Sequence, residues 1–337
     1  MTNEYSLYWA FETADLDSQK MNDIQALYPE VRQLIHNSVP DELPQLEVQL
    51  KKFTDPMIAE AILPLASCQA VKGNPIDAIP VAAALVIFTA SWRILDELED
   101  QDRPGQLWEE IGTARAWNYA CAVHNIACEV LNKAPFPSQV FKSINQAYID
   151  TFFTIAAGQD RDLAGLTKTV EDYWLTIERK TTAFYATACT TGAMVGTENN
   201  ELIQACGVFG YHLGIAIQIF NDMQSIWYPD GITDLEQGKV TLPLVYGLEL
   251  EHPECQQLLS WVEAQEIATN ADRIKEILDH IDTKRFLIWA ALKEREQALE
   301  AIKICPKAEG REVLESYITG MFGDIDLLLQ QPKVDKA

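Results

Sequence analysis

The chain contains 337 residues and carries a formal charge of −24, from 26 basic and 50 acidic side chains. Because binding to nucleic acid phosphates needs a basic surface, this charge argues against nucleic acid as a partner. Hydrophobic residues make up 48% of the chain, which excludes disorder over most of it, and 16 glycines with 15 prolines are few enough to favour helices over turn-rich β structure.

Apolar residues recur at helical spacing through almost the whole chain, and no segment shows the strict alternation of a half-buried strand. Turn chemistry separates neighbouring helices, as at Gly73-Asn74-Pro75 and Pro135-Phe136-Pro137. These signals predict helices over residues 18–37, 54–71, 75–101, 108–132, 137–158, 168–195, 199–228, 238–250, 253–266, 270–303 and 308–331.

The composition does not change along the chain, and no linker or repeat divides it. We therefore predict one all-α domain, a single large helical bundle over residues 18–331, with a loose segment over 1–17 and a tail over 332–337. The N-terminus lacks the basic region of a signal peptide, the seven cysteines are scattered, and the apolar run 79–92 is shorter than the ~20 residues of a membrane span. A cytoplasmic protein without a transmembrane segment is expected.

Two predicted helices, over 75–95 and 205–220, are apolar on nearly all faces, which indicates a central position in the bundle. The first ends in Asp96-Glu97-Leu98-Glu99-Asp100, where Asp96 and Asp100 share a helix face. Paired carboxylates suit Mg²⁺, although a solvated acidic helix end has the same spacing. The second ends in Asn221-Asp222-Met223-Gln224-Ser225, whose oxygens either bind Mg²⁺ or cap the helix end.

Further polar segments follow in the order Gly158-Gln159-Asp160, Lys180-Thr181 and Asp234-Leu235, with Gly238-Lys239 and Thr241-Leu242-Pro243 after them. Taken together, from about Gly73 to Leu248, these segments resemble the trans-polyprenyl diphosphate synthase family, of the class I isoprenoid synthase fold. The acidic run from Asp96 resembles its first aspartate-rich motif, with Glu97 at the usual second Asp. The segment from Gln218 to Asp222 resembles its second.

The resemblance implies a homodimeric enzyme that binds an allylic prenyl diphosphate through Mg²⁺, ionises its C–O bond and releases diphosphate. It implies catalytic roles for Asp96, Asp100, Asp222 and Lys180, the three aspartates as metal ligands. Asn221 and Ser225 are implied as further metal ligands. The implied substrate-binding residues are Lys239 and Arg103, with Gln218, and the aromatic residues Phe88, Trp92, Phe184, Phe220 and Trp227, which face the prenyl tail or cation unless they serve only the core.

The sequence departs from the family where a second substrate would bind. The segment 55–64, at which the family carries basic residues for isopentenyl diphosphate, contains no Lys or Arg, and one arginine, Arg103, remains of a pair after the first motif. The segment from Asn221 to Ser225 is closer to the Asn-Asp-x-x-Ser arrangement of terpene cyclases. We therefore predict ionisation without chain elongation, the cation being cyclised or quenched. The alternatives are prenyl transfer, either in chain elongation or to another acceptor such as a peptide, and a non-catalytic regulatory subunit of a prenyl synthase.

Overall fold

The computed structural model describes residues 18–100, 106–228, 233–306 and 309–322. Within these ranges the chain forms no strand, which confirms the all-α fold class. Its α-helices are α1 Ser18–Gln25, α2 Tyr28–Asn37, α3 Pro44–Met57, α4 Ile62–Ala70, α5 Ile79–Asp100, α6 Leu107–Ile111, α7 Thr113–Lys133, α8 Ser138–Leu163, α9 Val170–Ile177, α10 Ala183–Gly196, α11 Asn200–Trp227, α12 Leu242–Glu249, α13 Cys255–Glu263, α14 Ala271–His280, α15 Thr283–Ile302 and α16 Glu309–Gly320. Short 3₁₀ turns lie at Ile58–Ala61, Pro75–Ala78 and Ala268–Asn270, and a π-turn lies at Glu178–Thr182.

The helix boundaries differ from the sequence prediction in several places, of which two are instructive. Helix α3 begins at Pro44, well before the predicted start at residue 54, because proline suits the first turn of a helix and Leu50 brings an apolar face into the core. The helix predicted over 270–303 is two helices, since Asp282 adopts a left-handed conformation with φ of 59°. The predicted loose ends, 1–17 and 332–337, lie outside the described residues.

Helices α5 and α11 have the central position that their all-round apolar sequences predict. Helix α5 packs mainly on α7, and α11 packs on α10 and α15. By length and composition alone, Pro75–Glu99 and Asn200–Trp227 are apolar enough to cross a membrane, but 72% and 56% of their apolar windows are buried inside the protein. Their hydrophobic surface is therefore used for packing within the bundle.

Glycines fix the register of the helices around the end of α5. A Cβ on Gly192 would lie 2.2 Å from the carbonyl oxygen of Pro64, so α10 and α4 run in backbone contact. A Cβ on Gly158 would lie 2.5 Å from the backbone nitrogen of Lys180, so α8 is equally close to the π-turn. Because no side chain separates these backbones, the relative positions of the four elements are tightly constrained.

Candidate active site

The acidic end of α5 meets α8 and the π-turn in a cluster of polar side chains. Gln159 donates from Nε2 to Asp96 Oδ1 at 3.4 Å and to Glu99 Oε2 at 2.8 Å. Lys180 Nζ lies 3.3 Å from Asp96 Oδ1 and 2.8 Å from Asp162 Oδ2. The Asp96 side chain is still 49% exposed. The cluster therefore presents carboxylate oxygens, and with them an ammonium group, to solvent.

The π-turn at Glu178–Thr182 connects this cluster to α11. A π-turn carries one more residue per turn than an α-helix, and such turns occur often at functional sites. Here it directs two consecutive side chains to different partners. Lys180 reaches the carboxylates of α5 and α8, while Thr181 Oγ1 donates to Gln218 Oε1 at 2.8 Å. The turn thus joins the two polar helix ends that the sequence singles out.

Asp222 lies at the far end of this connection. Gln218 Nε2 donates to its Oδ1 at 2.8 Å, while the Tyr173 hydroxyl and the Leu242 backbone N–H donate to its Oδ2 at 2.7 and 3.0 Å. The residue is 2% exposed, and burial raises the pKa of its carboxyl to about 7 although all three donors favour the charged form. Its oxygens face protein donors, and its role as a metal ligand stays a prediction.

Aromatic side chains line the helices below the Asp96 cluster. Trp92 and Phe88 lie one and two turns before Asp96 on α5, and their ring centroids are 5.2 and 6.3 Å from that of Phe152 on α8. Tyr148, one turn along α8, packs edge-on against Phe88 at 5.6 Å. These rings form an apolar wall on α5 and α8 that begins one turn before Asp96.

The comparisons with known proteins agree with this geometry. The family model described as polyprenyl synthetase matches residues 61–281. The chain belongs to the polyprenyl synthetase family. It is accordingly an enzyme, a prenyltransferase of this family, and its all-α bundle is the class I isoprenoid synthase fold.

Several relatives of this chain are named by their activity. The chain is 27% identical to a short chain isoprenyl diphosphate synthase of Methanothermobacter thermautotrophicus, over 87% of this chain and 95% of that protein. It is 26% identical to the tryptophan prenyltransferase ComQ of Bacillus subtilis, over 56% and 60%. The structure of geranylgeranyl pyrophosphate synthetase from Pyrococcus horikoshii matches with a TM-score of 0.80 at 22% identity, covering 90% of this chain and 98% of that one. That likeness shows a shared fold.

The structure brings four predicted site residues onto one connected path. Asp96 and Lys180 lie at one end of the path, and Gln218 and Asp222 lie at the other. Helix α5 ends at Asp100, whose side chain is outside the described part of the structure, as is the whole of Arg103. The predicted roles of these two residues therefore stay predictions.

The remaining predicted residues are distributed around α11 and the loop before α12. Asn221 is half-buried, and Ser225 Oγ accepts from the Asp234 backbone N–H at 3.0 Å. Two predicted aromatic residues contact the C-terminal helices: the Phe220 ring meets Phe322 edge-on at 4.9 Å, and Trp227 Nε1 donates to Asp279 at 2.7 Å. Phe184 is buried beside Tyr185, and Lys239 lies in the loop before α12. Their predicted binding roles are not tested by these contacts.

Sequence reasoning missed the residues that complete the path. Asp162 pairs with Lys180 and Tyr173 hydrogen-bonds Asp222, yet neither is among the predicted site residues. The polar run Gly158-Gln159-Asp160-Arg161-Asp162 was the available signal for Asp162. Tyr173 gave no signal, because an aromatic residue in an amphipathic helix is indistinguishable in sequence from an ordinary core residue.

The side chains at the end of α5 fit a hard cation such as Mg²⁺. Asp96 and Glu99 from α5 and Asp162 from α8 supply carboxylate oxygens, the ligands that Mg²⁺ prefers. Across the described ranges, no three His, Cys, Asp or Glu side chains converge closely enough to hold an ion by themselves. Mg²⁺ is usually held by one or two carboxylates together with water and substrate phosphate oxygens. The donor set therefore suits an ion that binds together with its substrate.

Proposed function

We propose that this enzyme is a magnesium-dependent prenyltransferase that ionises an allylic prenyl diphosphate and passes the prenyl group to an acceptor without a diphosphate. The observation that carries the proposal is the position of Lys180 between Asp96 and Asp162, linked through Thr181 and Gln218 to the second motif. When bound, Mg²⁺ supplies Lewis-acid stabilisation of the leaving diphosphate, worth several kcal/mol.

Each residue of the cluster has a distinct task in this reaction. Asp96 would hold the metal, and the amide of Gln159 keeps the Asp96 and Glu99 carboxylates oriented. The Lys180 ammonium binds the diphosphate through charge-assisted hydrogen bonds. The aromatic wall of Phe88 and Trp92 receives the prenyl chain and excludes water from the allylic carbon.

The chemical class of the acceptor is inferred from the residues at the position where a second diphosphate would bind. A diphosphate needs several cationic donors, and residues 55–64 include none. Within this segment Glu60 carries a carboxyl group whose Oε2 is inaccessible to solvent, and the neighbouring Arg93 is paired with Glu97 at 3.5 Å. A neutral nucleophile does not need cationic donors to bind. The relative named tryptophan prenyltransferase ComQ supports an acceptor of this kind, and an indole side chain in a peptide is the acceptor we favour.

The experiment that tests this function compares acceptors. Purified enzyme is incubated with Mg²⁺ and labelled geranyl, farnesyl or geranylgeranyl diphosphate, alone, with isopentenyl diphosphate, or with a tryptophan-containing peptide. We expect diphosphate release with Mg²⁺, its loss in EDTA and in Asp96→Asn, and label transfer to the peptide. Products longer by five carbons that form only with isopentenyl diphosphate would instead identify an ordinary chain-elongating synthase.

Cyclisation of the cation is the second candidate function, and the aromatic wall favours it because rings stabilise cations through their π faces. The relatives support prenyl transfer better than cyclisation. The same incubation separates the two. A cyclic hydrocarbon or alcohol formed in the absence of any acceptor identifies a cyclase, whereas little turnover without the peptide identifies a transferase.

We also propose that the enzyme is a homodimer. Helix α8 exposes Ile149 and Phe153, one turn apart, with 41% and 67% of their surface accessible. Adjacent exposed apolar residues on one helix face favour contact with a second protein surface. Light scattering after size exclusion is expected to give about twice the chain mass of 37.9 kDa, and Phe153→Asp is expected to shift the protein towards the monomer.

A further inference from the structure

The half-buried side chain of Glu60 lies in the 3₁₀ turn just before α4. Its Oε2 is inaccessible to solvent and has no hydrogen-bond partner among the described residues. Burial raises the pKa of Glu60 to about 7, although the Thr89 hydroxyl and the Arg93 guanidinium lower it. An unpartnered carboxyl oxygen inside a protein is costly, so a function for it is the natural explanation.

The groups that face Glu60 come from every element around it. Helix α5 contributes Thr89 and Arg93. Helices α10 and α16 contribute Tyr185 and Tyr317, whose pKa values are raised first by burial and further by the nearby Glu60 charge. On the remaining side, the Tyr28 hydroxyl of α2 donates to the carbonyl of Ala59 at 3.4 Å. Among these described residues around Glu60, Arg93 is the positively charged one.

The register of the helices relates Glu60 to the polar cluster around Asp96. Thr89 is seven residues before Asp96 on the same face of α5, or about 10 Å along the helix. On α10, Tyr185 lies one turn after Thr181, which belongs to the site. Thr89 is half-buried although the residues before it on α5, 81–88, are all buried. Glu60 thus lies beside the face of α5 that leads to Asp96, about two turns before it.

We propose that Glu60 is the general base that accepts the proton released when the prenyl cation is captured. This inference rests on the proposed function. The allylic C–O bond breaks and its electron pair leaves with diphosphate. A π electron pair of the acceptor forms the new bond to the prenyl carbon, and the C–H bond at the attacked position breaks to restore the acceptor's aromaticity. The proton passes to a carboxylate oxygen of Glu60 and from there to solvent.

The described carboxylates at the mouth of the site are less suited to this task because each is already engaged. Asp96 and Asp162 contact Lys180, Glu99 accepts from Gln159, and Glu97 pairs with Arg93. Asp222 accepts three hydrogen bonds. Glu60 Oε2 has no hydrogen-bond partner among the described residues, whereas Glu97, whose Oε2 also lacks one, is already paired with Arg93 through Oε1. A base whose pKa is close to the working pH is also the most effective one.

The test measures how the cation partitions rather than how fast it forms. With peptide acceptor and Mg²⁺, Glu60→Gln keeps the size of the side chain but cannot take a proton. We expect diphosphate release to change less than about threefold, while prenylated peptide falls by about 10²-fold, the typical worth of a general base, and prenyl alcohol replaces it. Glu60→Asp is expected to restore part of the transfer. Glu110→Gln, which alters an exposed carboxyl on α6, is the matched control and should leave the partition unchanged.

The pH profile of the wild-type enzyme provides a second readout. The ratio of prenylated peptide to prenyl alcohol is expected to rise with pH through about 7 in the wild type and to stay flat in Glu60→Gln. An unchanged product ratio in Glu60→Gln, or a flat wild-type profile, would overturn the role of Glu60 while leaving the transferase intact. Absence of diphosphate release from the wild type would instead overturn the proposed function itself.

Discussion

Gly158 and Lys180 meet backbone to backbone at the centre of the site. A Cβ on Gly158 would lie 2.5 Å from the Lys180 backbone nitrogen and 2.9 Å from the Arg179 carbonyl carbon, distances that real Cβ atoms do not adopt. This contact holds α8 against the π-turn. It therefore sets where the Lys180 ammonium stands relative to Asp96 and Asp162.

Substitution of Gly158 by alanine is expected to separate α8 from the π-turn. Overpacking of this kind costs about 1–3 kcal/mol of stability and moves the backbone. We expect Gly158→Ala to lower the urea midpoint and to reduce diphosphate release by at least about tenfold, because misplaced binding groups lose rate steeply. Gly207→Ala is the control, since a Cβ there meets only the side chain of Thr190, which can rotate away. Equal activity in both variants would contradict this account.

Lys180 is expected to matter more for activity than for stability. Its contacts with Asp96 and Asp162 are partly exposed, and such ion pairs contribute at most about 1 kcal/mol to folding. Loss of a cation that stabilises a leaving diphosphate costs about 10²-fold or more in rate. Lys180→Gln should therefore unfold at nearly the wild-type urea concentration and release diphosphate about 10² times more slowly. Lys133→Gln, at an exposed pair with Glu129, should change neither measurement.

Tyr173 is expected to stabilise the fold through Asp222. In Tyr173→Phe, Asp222 Oδ2 keeps the Leu242 N–H as its donor and loses the hydroxyl inside the protein. Removing a partner from a buried polar group costs about 1–3 kcal/mol. The matched control is Tyr119→Phe, whose hydroxyl accepts from Arg115 nearer the surface, and its expected cost is below about 1 kcal/mol. Urea unfolding of both variants checks the difference, and equal costs would argue against a structural role for this hydrogen bond.

The stability of the protein is expected to fall as pH rises through neutrality because of Glu60. Its pKa is about 7 in the folded protein against an ordinary value of 4.5, so between these values the folded state binds more protons than the unfolded state. The stabilising contribution is complete below about pH 4.5 and is lost as pH rises through about 7. Urea unfolding at pH 5 and pH 8 should show Glu60→Gln gaining stability relative to the wild type at the higher pH.

Glu110 provides a control for this pH effect. Hydrogen bonds from Lys52 and Gln49 lower the pKa of Glu110 in the folded protein from its ordinary value of 4.5, so neither state has its titration between pH 5 and pH 8. The difference in stability between Glu110→Gln and the wild type should therefore be the same at pH 5 and pH 8. A wild-type stability that does not change relative to Glu60→Gln over this range would mean that Glu60 is not buried in its neutral form.

The amino-acid sequence determined the class and the general position of the site. Helical spacing without strand alternation gave the all-α fold, because burial on one or all faces of a helix is a local property of the residue pattern. The all-round apolar helices ending at Asp96 and Asn221 are the central α5 and α11, and the order of the polar segments identified the family. The fold class, the two central helices and the order of the motifs can be predicted because each depends on residues that are close together in the sequence.

The tertiary structure alone decided which side chains meet and what charge they carry. Lys180 contacts Asp96 because a π-turn and a missing side chain at Gly158 bring α8 and α5 to it, which no spacing along the chain encodes. The sequence identifies Asp222 as a candidate site residue, but it gives no indication that the carboxyl groups of Asp222 and Glu60 titrate differently from those of other acidic residues. Their pKa values rise to about 7 because distant helices exclude water from them, and desolvation depends on the packed environment rather than on the residue.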